Sequence, residues 1–176
     1  MRVTLYILIN IIICGCFTNE SENMELLKTV SKVEIERFMG DWYVIANIPT
    51  FLEKNATNAI ESYQLNDKGD IDATFSFYQN SPTGKKKVYH PKGFIYNSTT
   101  NAEWRMQFLW PFKMPFLIID LDDEYSYTVI GYPSRNYVWI MARKPQLPEE
   151  TYQSILKNLE YVGYDISRIN KVPQVW

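Results

Sequence analysis

The chain has 176 residues, 46% of them hydrophobic and 15% aromatic, and a formal net charge of -2. That length suits one domain with a sizeable core and falls short of two. The near-neutral charge, with no basic run beyond Lys85-Lys86-Lys87, excludes an electrostatic nucleic-acid binder.

Met1 to Gly15 carries one cation, Arg2, then an apolar run from Leu5 to Cys14 broken at Asn10. The run is shorter than the roughly 20 apolar residues that span a bilayer as a helix, and it fits a secretory leader. Cys14 and Cys16 are the only cysteines, so no disulfide can form within the rest of the chain. Ile13-Cys14-Gly15-Cys16 resembles the bacterial lipobox. The resemblance implies cleavage before Cys16, lipidation of Cys16 and attachment to a membrane through several acyl chains, which hold far better than one. Phe17 stands where an Asp would retain such a protein at the inner membrane, so the outer membrane, on its periplasmic face, is the expected location. The plainer reading is an ordinary secretory leader with incidental cysteines. Thr18 to Glu25 is polar and reads as a flexible tether. The expected division is a leader over 1–15, a lipidated Cys and tether over 16–32, and one domain over 33–176.

Val33 to Met39 predicts a short helical turn ended by Gly40, and Asp41 to Ile48 a first strand stopped by Pro49. Thr50 to Thr57 reads as a long loop. Asn58 to Leu65 predicts a second strand, turned by Asn66-Asp67-Lys68-Gly69. Ile71, Ala73, Phe75 and Phe77 alternate with polar residues, the period of a half-buried strand. Lys85 to Lys87, after Ser81-Pro82-Thr83-Gly84, reads as a solvated hairpin end. Val88-Tyr89 and Gly93 to Tyr96 form a strand broken at Pro91. Trp104, Met106 and Phe108 alternate with Arg105 and Gln107. Trp110 to Pro115 reads as a kinked apolar loop, and Phe116 to Leu121 as a buried strand. Tyr125 to Tyr132 and Tyr137 to Arg143 are the last long strands. About eight strands at this spacing predict a meander closed into a barrel or sandwich. Pro148-Glu149-Glu150 then opens a helix. Its stripe of Tyr152, Ile155, Leu156 and Leu159 predicts packing on the barrel wall, with Gly163 as its stop. The polar face is not basic, which disfavours a helix lying on a membrane.

Gly40-Asp41-Trp42-Tyr43 with Phe38 before it, the Trp110-Pro111-Phe112 stretch, and Tyr137-Val138-Trp139-Ile140-Met141-Ala142-Arg143-Lys144-Pro145 together resemble the lipocalins. The nearest subgroup is the bacterial outer-membrane lipoprotein lipocalins, relatives of apolipoprotein D. The likeness covers nearly all of Val33 to Val172. It implies an all-β fold: an eight-stranded antiparallel up-and-down barrel with a C-terminal helix packed on it. It further implies that Trp42 plugs the closed end and that Arg143 packs across it, both as structural residues. Asp122 and Tyr125 fall near the family's Asp-containing turn, although Leu121 replaces the usual Thr.

An eight-stranded barrel is just wide enough for one small ligand. Tyr63, Phe75, Phe77, Trp104, Met106, Tyr127, Tyr137 and Trp139 are the expected cavity residues. For any one of them, plain core packing is the competing explanation. Apolar walls with a few hydroxyls suit a chain-like amphiphile, buried tail first with its head at the mouth. The resemblance implies fatty acids or lysophospholipids, and storage or transport of lipid in the bacterial cell envelope. No cofactor and no metal are expected. A homodimer is left open. Two other classes compete. A lipid-modifying enzyme is disfavoured because there is no Gly-x-Ser-x-Gly elbow and the single histidine, His90, sits at a strand break. A lipid-anchored docking scaffold would use a mouth lined by Trp110, Phe112 and Phe116.

Overall fold

The computed structural model describes residues 25–176. The expected leader, with Cys14 and Cys16, and most of the expected tether lie outside the described residues.

One short helix, α1 (Ile35–Phe38), precedes the sheet and buries Ile35 and Phe38. Gly40 follows with φ 93°, a left-handed conformation that a side chain would strain. The strands are β1 (Gly40–Ile48), β2 (Ala56–Leu65), β3 (Ile71–Gln79), β4 (Lys85–Tyr89), β5 (Lys92–Ile95), β6 (Glu103–Leu109), β7 (Phe112–Leu121), β8 (Tyr127–Gly131), β9 (Val138–Ala142) and β10 (Asn170–Lys171). Neighbours in sequence are antiparallel neighbours in space, and β9 pairs back onto β1, so the sheet closes. β4 and β5 share one position beside β3, split at His90-Pro91. The result is an eight-stranded antiparallel barrel, as expected.

The connections alternate between two ends. The turns after β2, β5 and β7 gather with α1 at one end. The entering segment crosses that end: Val33 N donates to Thr100 O at 2.7 Å, and Glu34 N to the Tyr125 hydroxyl at 2.8 Å. The loops after β1, β3, β6 and β8 mark the opposite end, the mouth.

The expected amphipathic helix is α2 (Glu149–Tyr161). Tyr152, Ile155 and Leu159 are buried against Ala46, Ile48, Val129, Val138 and Ile140, the outward-facing residues of β1, β8 and β9. Gly163, at φ 92°, lets Tyr164 N reach back to Leu159 O at 3.0 Å and ends the helix.

Lys85 to Lys87 keep the hairpin-end position expected of them: they open β4 directly after the turn that Gly84 N closes on Ser81 O, with Lys85 and Lys86 exposed. Several local expectations are corrected. The apolar stretch at Trp110 is no long loop: Trp110-Pro111 alone joins β6 to β7. Pro115 is tolerated inside β7 because β8 pairs only from Leu117 onward, which leaves an edge that needs no N–H there. Tyr125 is not a strand residue. Its φ of 56° and its hydroxyl contact with Glu34 take it under the closed end. The Asp122 carboxylate organises that turn, accepting from Ser126 N at 2.6 Å, Ser126 Oγ at 2.8 Å and Tyr127 N at 2.9 Å.

The chain's last residues do something the sequence reading did not anticipate. β1 and β2 pair only from Gly40 to Tyr43, and both strands bulge above that point. The C-terminal tail fills the seam. Val172 N donates to Ile45 O at 2.8 Å, and the Gln174 amide donates to both Val44 O at 2.8 Å and Ala59 O at 3.1 Å.

Candidate functional site: the barrel interior

Alternation along each strand decides what faces inward. At the closed end, Trp42 donates from its indole to Phe38 O at 2.8 Å. Phe38 packs on the Trp42 and Trp104 rings at 5.0 and 5.3 Å between centroids. Arg143 lies 3.7 Å from the centre of the Trp42 ring, on the far side from the cavity. It donates to the carbonyls of Arg37, Met39 and Asp41 at 2.7–2.9 Å. Trp42 and Arg143 therefore pack on one another at the end of the barrel that α1 crosses.

Tyr63 and Trp104, expected in the cavity wall, are fully buried in the same cluster. Phe116, expected at the mouth, is buried there as well, stacked on Trp104 at 5.2 Å with an 11° interplanar angle. Together they form the bottom of the interior. Above them, Phe75 and Phe77 lie 5.2 Å apart, and both stack near Tyr89 at 6.4 and 6.3 Å. Met106 completes this level against Gly93, where a Cβ would come within 2.9 Å of the Met106 sulfur. Trp139 and Tyr137 stand towards the mouth, 6.3 Å apart and only half-buried. Tyr127 is the exception among the expected cavity residues. It packs on the outer face with Val129, beneath α2, because the inward positions of β8 are Thr128 and Ile130.

The interior is not purely apolar. Glu61 shares the inward register of Ala59 and Tyr63, and its cross-strand partners are Trp42 and Phe75. The Tyr63 hydroxyl donates to one of its carboxylate oxygens. Glu53 folds inward from the β1–β2 loop and is almost wholly buried. It accepts from Thr50 N at 2.9 Å and from the Trp139 indole at 3.0 Å. Loss of water inside the barrel pushes the Glu61 carboxyl up to about 7; the Tyr63 bond opposes this and the charge of Glu53 adds to it. Burial likewise raises Glu53, against the bonds from Thr50 and Trp139.

Neither glutamate was among the expected site residues. A signal for Glu61 existed in its two-residue spacing from Tyr63. It was weak because Asn58 to Leu65 has no clean apolar alternation. No local signal marks Glu53, which a loop delivers.

Around the mouth, large apolar side chains face solvent. Trp110 is 81% exposed, Phe112 69% and Phe51 88%. Lys54, Lys85 and Lys113 lie on the same loops and strand ends. His90 is exposed, with its Nδ1 3.2 Å from Thr74 Oγ1. Among the described residues no group of three His, Cys, Asp or Glu side chains is arranged to hold a metal. No helix among them is long and apolar enough to cross a membrane.

The lipocalin-like domain family matches residues 33–174. Temperature-induced lipocalin-1 of Arabidopsis thaliana is 32% identical over 166 residues, covering 88% of this chain and 85% of that protein. The outer membrane lipoprotein Blc of Vibrio cholerae is 25% identical over 175 residues, covering 99% of each. Among solved structures, insecticyanin from the tobacco hornworm Manduca sexta superposes with a TM-score of 0.67 at 20% identity, over 83% of each chain. With the domain match spanning the whole barrel and the Trp42–Arg143 seal in place, the chain belongs to the lipocalin family.

Proposed function

We propose that this protein binds a single-chain lipid, a fatty acid or a lysophospholipid, and stores or carries it at a cell-envelope membrane. The observation that supports this most is the aromatic level of the barrel. Phe75, Phe77 and Tyr89 face inward above a sealed floor, and Trp139 and Tyr137 keep free surface towards the mouth. Such walls suit a hydrocarbon chain held without chemistry. The exposed Trp110, Phe112 and Phe51 at the mouth, near lysines, suit contact with an anionic bilayer from which the ligand enters.

Attachment follows from Cys16: lipidated there, the protein is held at the outer membrane on its periplasmic face. The likeness to an outer membrane lipoprotein supports this placement. A native mass spectrum of the purified protein is expected to show an adduct of lipid mass. Titration with a lysophospholipid is expected to quench tryptophan emission. Absence of both overturns the carrier reading. A Cys16→Ala variant is expected in the soluble fraction; if it stays on the membrane, the anchor is wrong.

A further inference from the structure

A carboxylate inside a lipid-binding barrel is a liability unless it recognises something. Glu61 sits on the inward face of β2, enclosed by protein, between Trp42 on one side and Phe75 on the other. One of its oxygens accepts the Tyr63 hydroxyl. The other accepts nothing among the described residues, and it is not sealed against protein either. Glu61 keeps part of its surface free, and its inward register turns that surface towards the barrel's interior. A second carboxylate, Glu53, is folded in from the loop above, and its charge adds to the rise of the Glu61 carboxyl. Among the described residues, the only inward-register cation on the strands is Lys87, half-buried at the rim end of β4 opposite Phe77. Phe75, the cross-strand neighbour of Glu61, packs with Phe77 and Tyr89 into one aromatic group on the inward face.

We propose that the barrel selects an amphiphile whose buried polar end is a cation, an amine or ammonium group, seated at Glu61 and Glu53, in preference to one ending in a carboxylate. The proposal rests on the barrel being a lipid carrier and turns its choice away from a fatty acid, towards a single-chain lipid with an ammonium end. An anionic head drawn to this depth would meet two carboxylates and lose water with no partner gained. A cationic head finds the free Glu61 oxygen and the faces of Phe75 and Tyr89, each contact favourable in a dry site. The charged end then enters first, with the hydrocarbon trailing past Phe77 and Trp139 towards the mouth. The glutamates do not hold each other in place: each is positioned by its own neutral partners, Tyr63 for one and Trp139 with Thr50 for the other. Two acids that turn into the same barrel, neither paired with a lysine or arginine among the described residues, are set up to receive a positive charge.

The test compares three ligands of equal chain length, dodecylamine, dodecanol and dodecanoate, below their aggregation concentrations. Each is titrated against the full chain at about pH 8 with tryptophan emission and calorimetry as readouts. The amine is expected to bind at least about tenfold tighter than dodecanoate, with the alcohol between them. Glu61→Gln, which keeps the side chain's size, is expected to weaken the amine about tenfold and leave the alcohol unchanged. Glu53→Gln gives a second, independent variant with the same expected direction. Dodecanoate binding as tightly as the amine overturns the proposal while leaving the carrier reading intact, as does an amine affinity unmoved in both variants. Failure of all three ligands to bind overturns the carrier reading itself.

Discussion

Arg143 covers the Trp42 indole at 3.7 Å and is held there by three backbone carbonyls, those of Arg37, Met39 and Asp41. The planar fork of a guanidinium meets all of these at once; an ammonium cannot. Arg143→Ala should lower stability by about 3 kcal/mol, combining a cation–π contact with charged hydrogen bonds that do not add fully. Arg143→Lys should recover less than half of that. Urea denaturation of the three proteins checks both numbers. Lipid affinity of the folded fraction should be unchanged, because the guanidinium lies outside the floor.

Glu61 makes stability depend on pH. Its carboxyl sits at about 7 in the fold, against an ordinary value of 4.5. The fold therefore keeps a proton that the unfolded chain has lost across that interval. The stabilising contribution is fully present below about pH 4.5 and disappears as pH rises through 7. The displacement corresponds to on the order of 3 kcal/mol. Glu61→Gln should flatten this decline and make the protein more stable than the parent above pH 7. Melting temperatures measured from about pH 5 to 8 decide it. Parallel curves for the two proteins would show that Glu61 does not titrate in this window.

The tail seam predicts a remote effect. Gln174 donates one amide group to carbonyls on two strands that no longer pair with each other. Gln174→Ala should cost about 1–2 kcal/mol, since it leaves Val44 and Ala59 carbonyls short of a donor. Amide hydrogen exchange should speed up around the upper part of β1 and β2 before the rest of the barrel. Uniform acceleration would instead show that the seam opens only with global unfolding.

The mouth predicts a change in binding without a change in stability. Trp110 and Phe112 are solvent-exposed on the β6–β7 hairpin, so replacing them removes little from the core. A Trp110→Ser, Phe112→Ser double variant should melt within about 2 °C of the parent. Its partition onto vesicles containing anionic phospholipid, measured on protein lacking the Cys16 anchor, should fall several-fold. Equal partition would show that the mouth does not touch the bilayer.

Much of the architecture was legible in the residues themselves. Period-two alternation at Ile71 to Phe77 and at Trp104 to Phe108, and the helical stripe at Tyr152 to Leu159, mark elements whose burial is a local property. Trp42 and Arg143 were legible through the motifs that flank them. What the sequence alone determined is therefore the set of elements, their order, and which residues close one end. Only the tertiary structure decided what the interior contains. Tyr127 faces outward because the left-handed turn at Tyr125 breaks the two-residue alternation, so Tyr125 joins the inner cluster and Tyr127 the outer one. Phe116 drops to the floor because Trp110-Pro111 makes a tight turn and moves the whole register of β7. Glu53 arrives on a loop, and Glu61 acquires its raised carboxyl only when neighbouring strands remove its water. Local pattern reports which side of a strand is apolar; it cannot report which distant groups will share an enclosed space, and that shared space sets the charge, the dryness and the chemistry of the cavity.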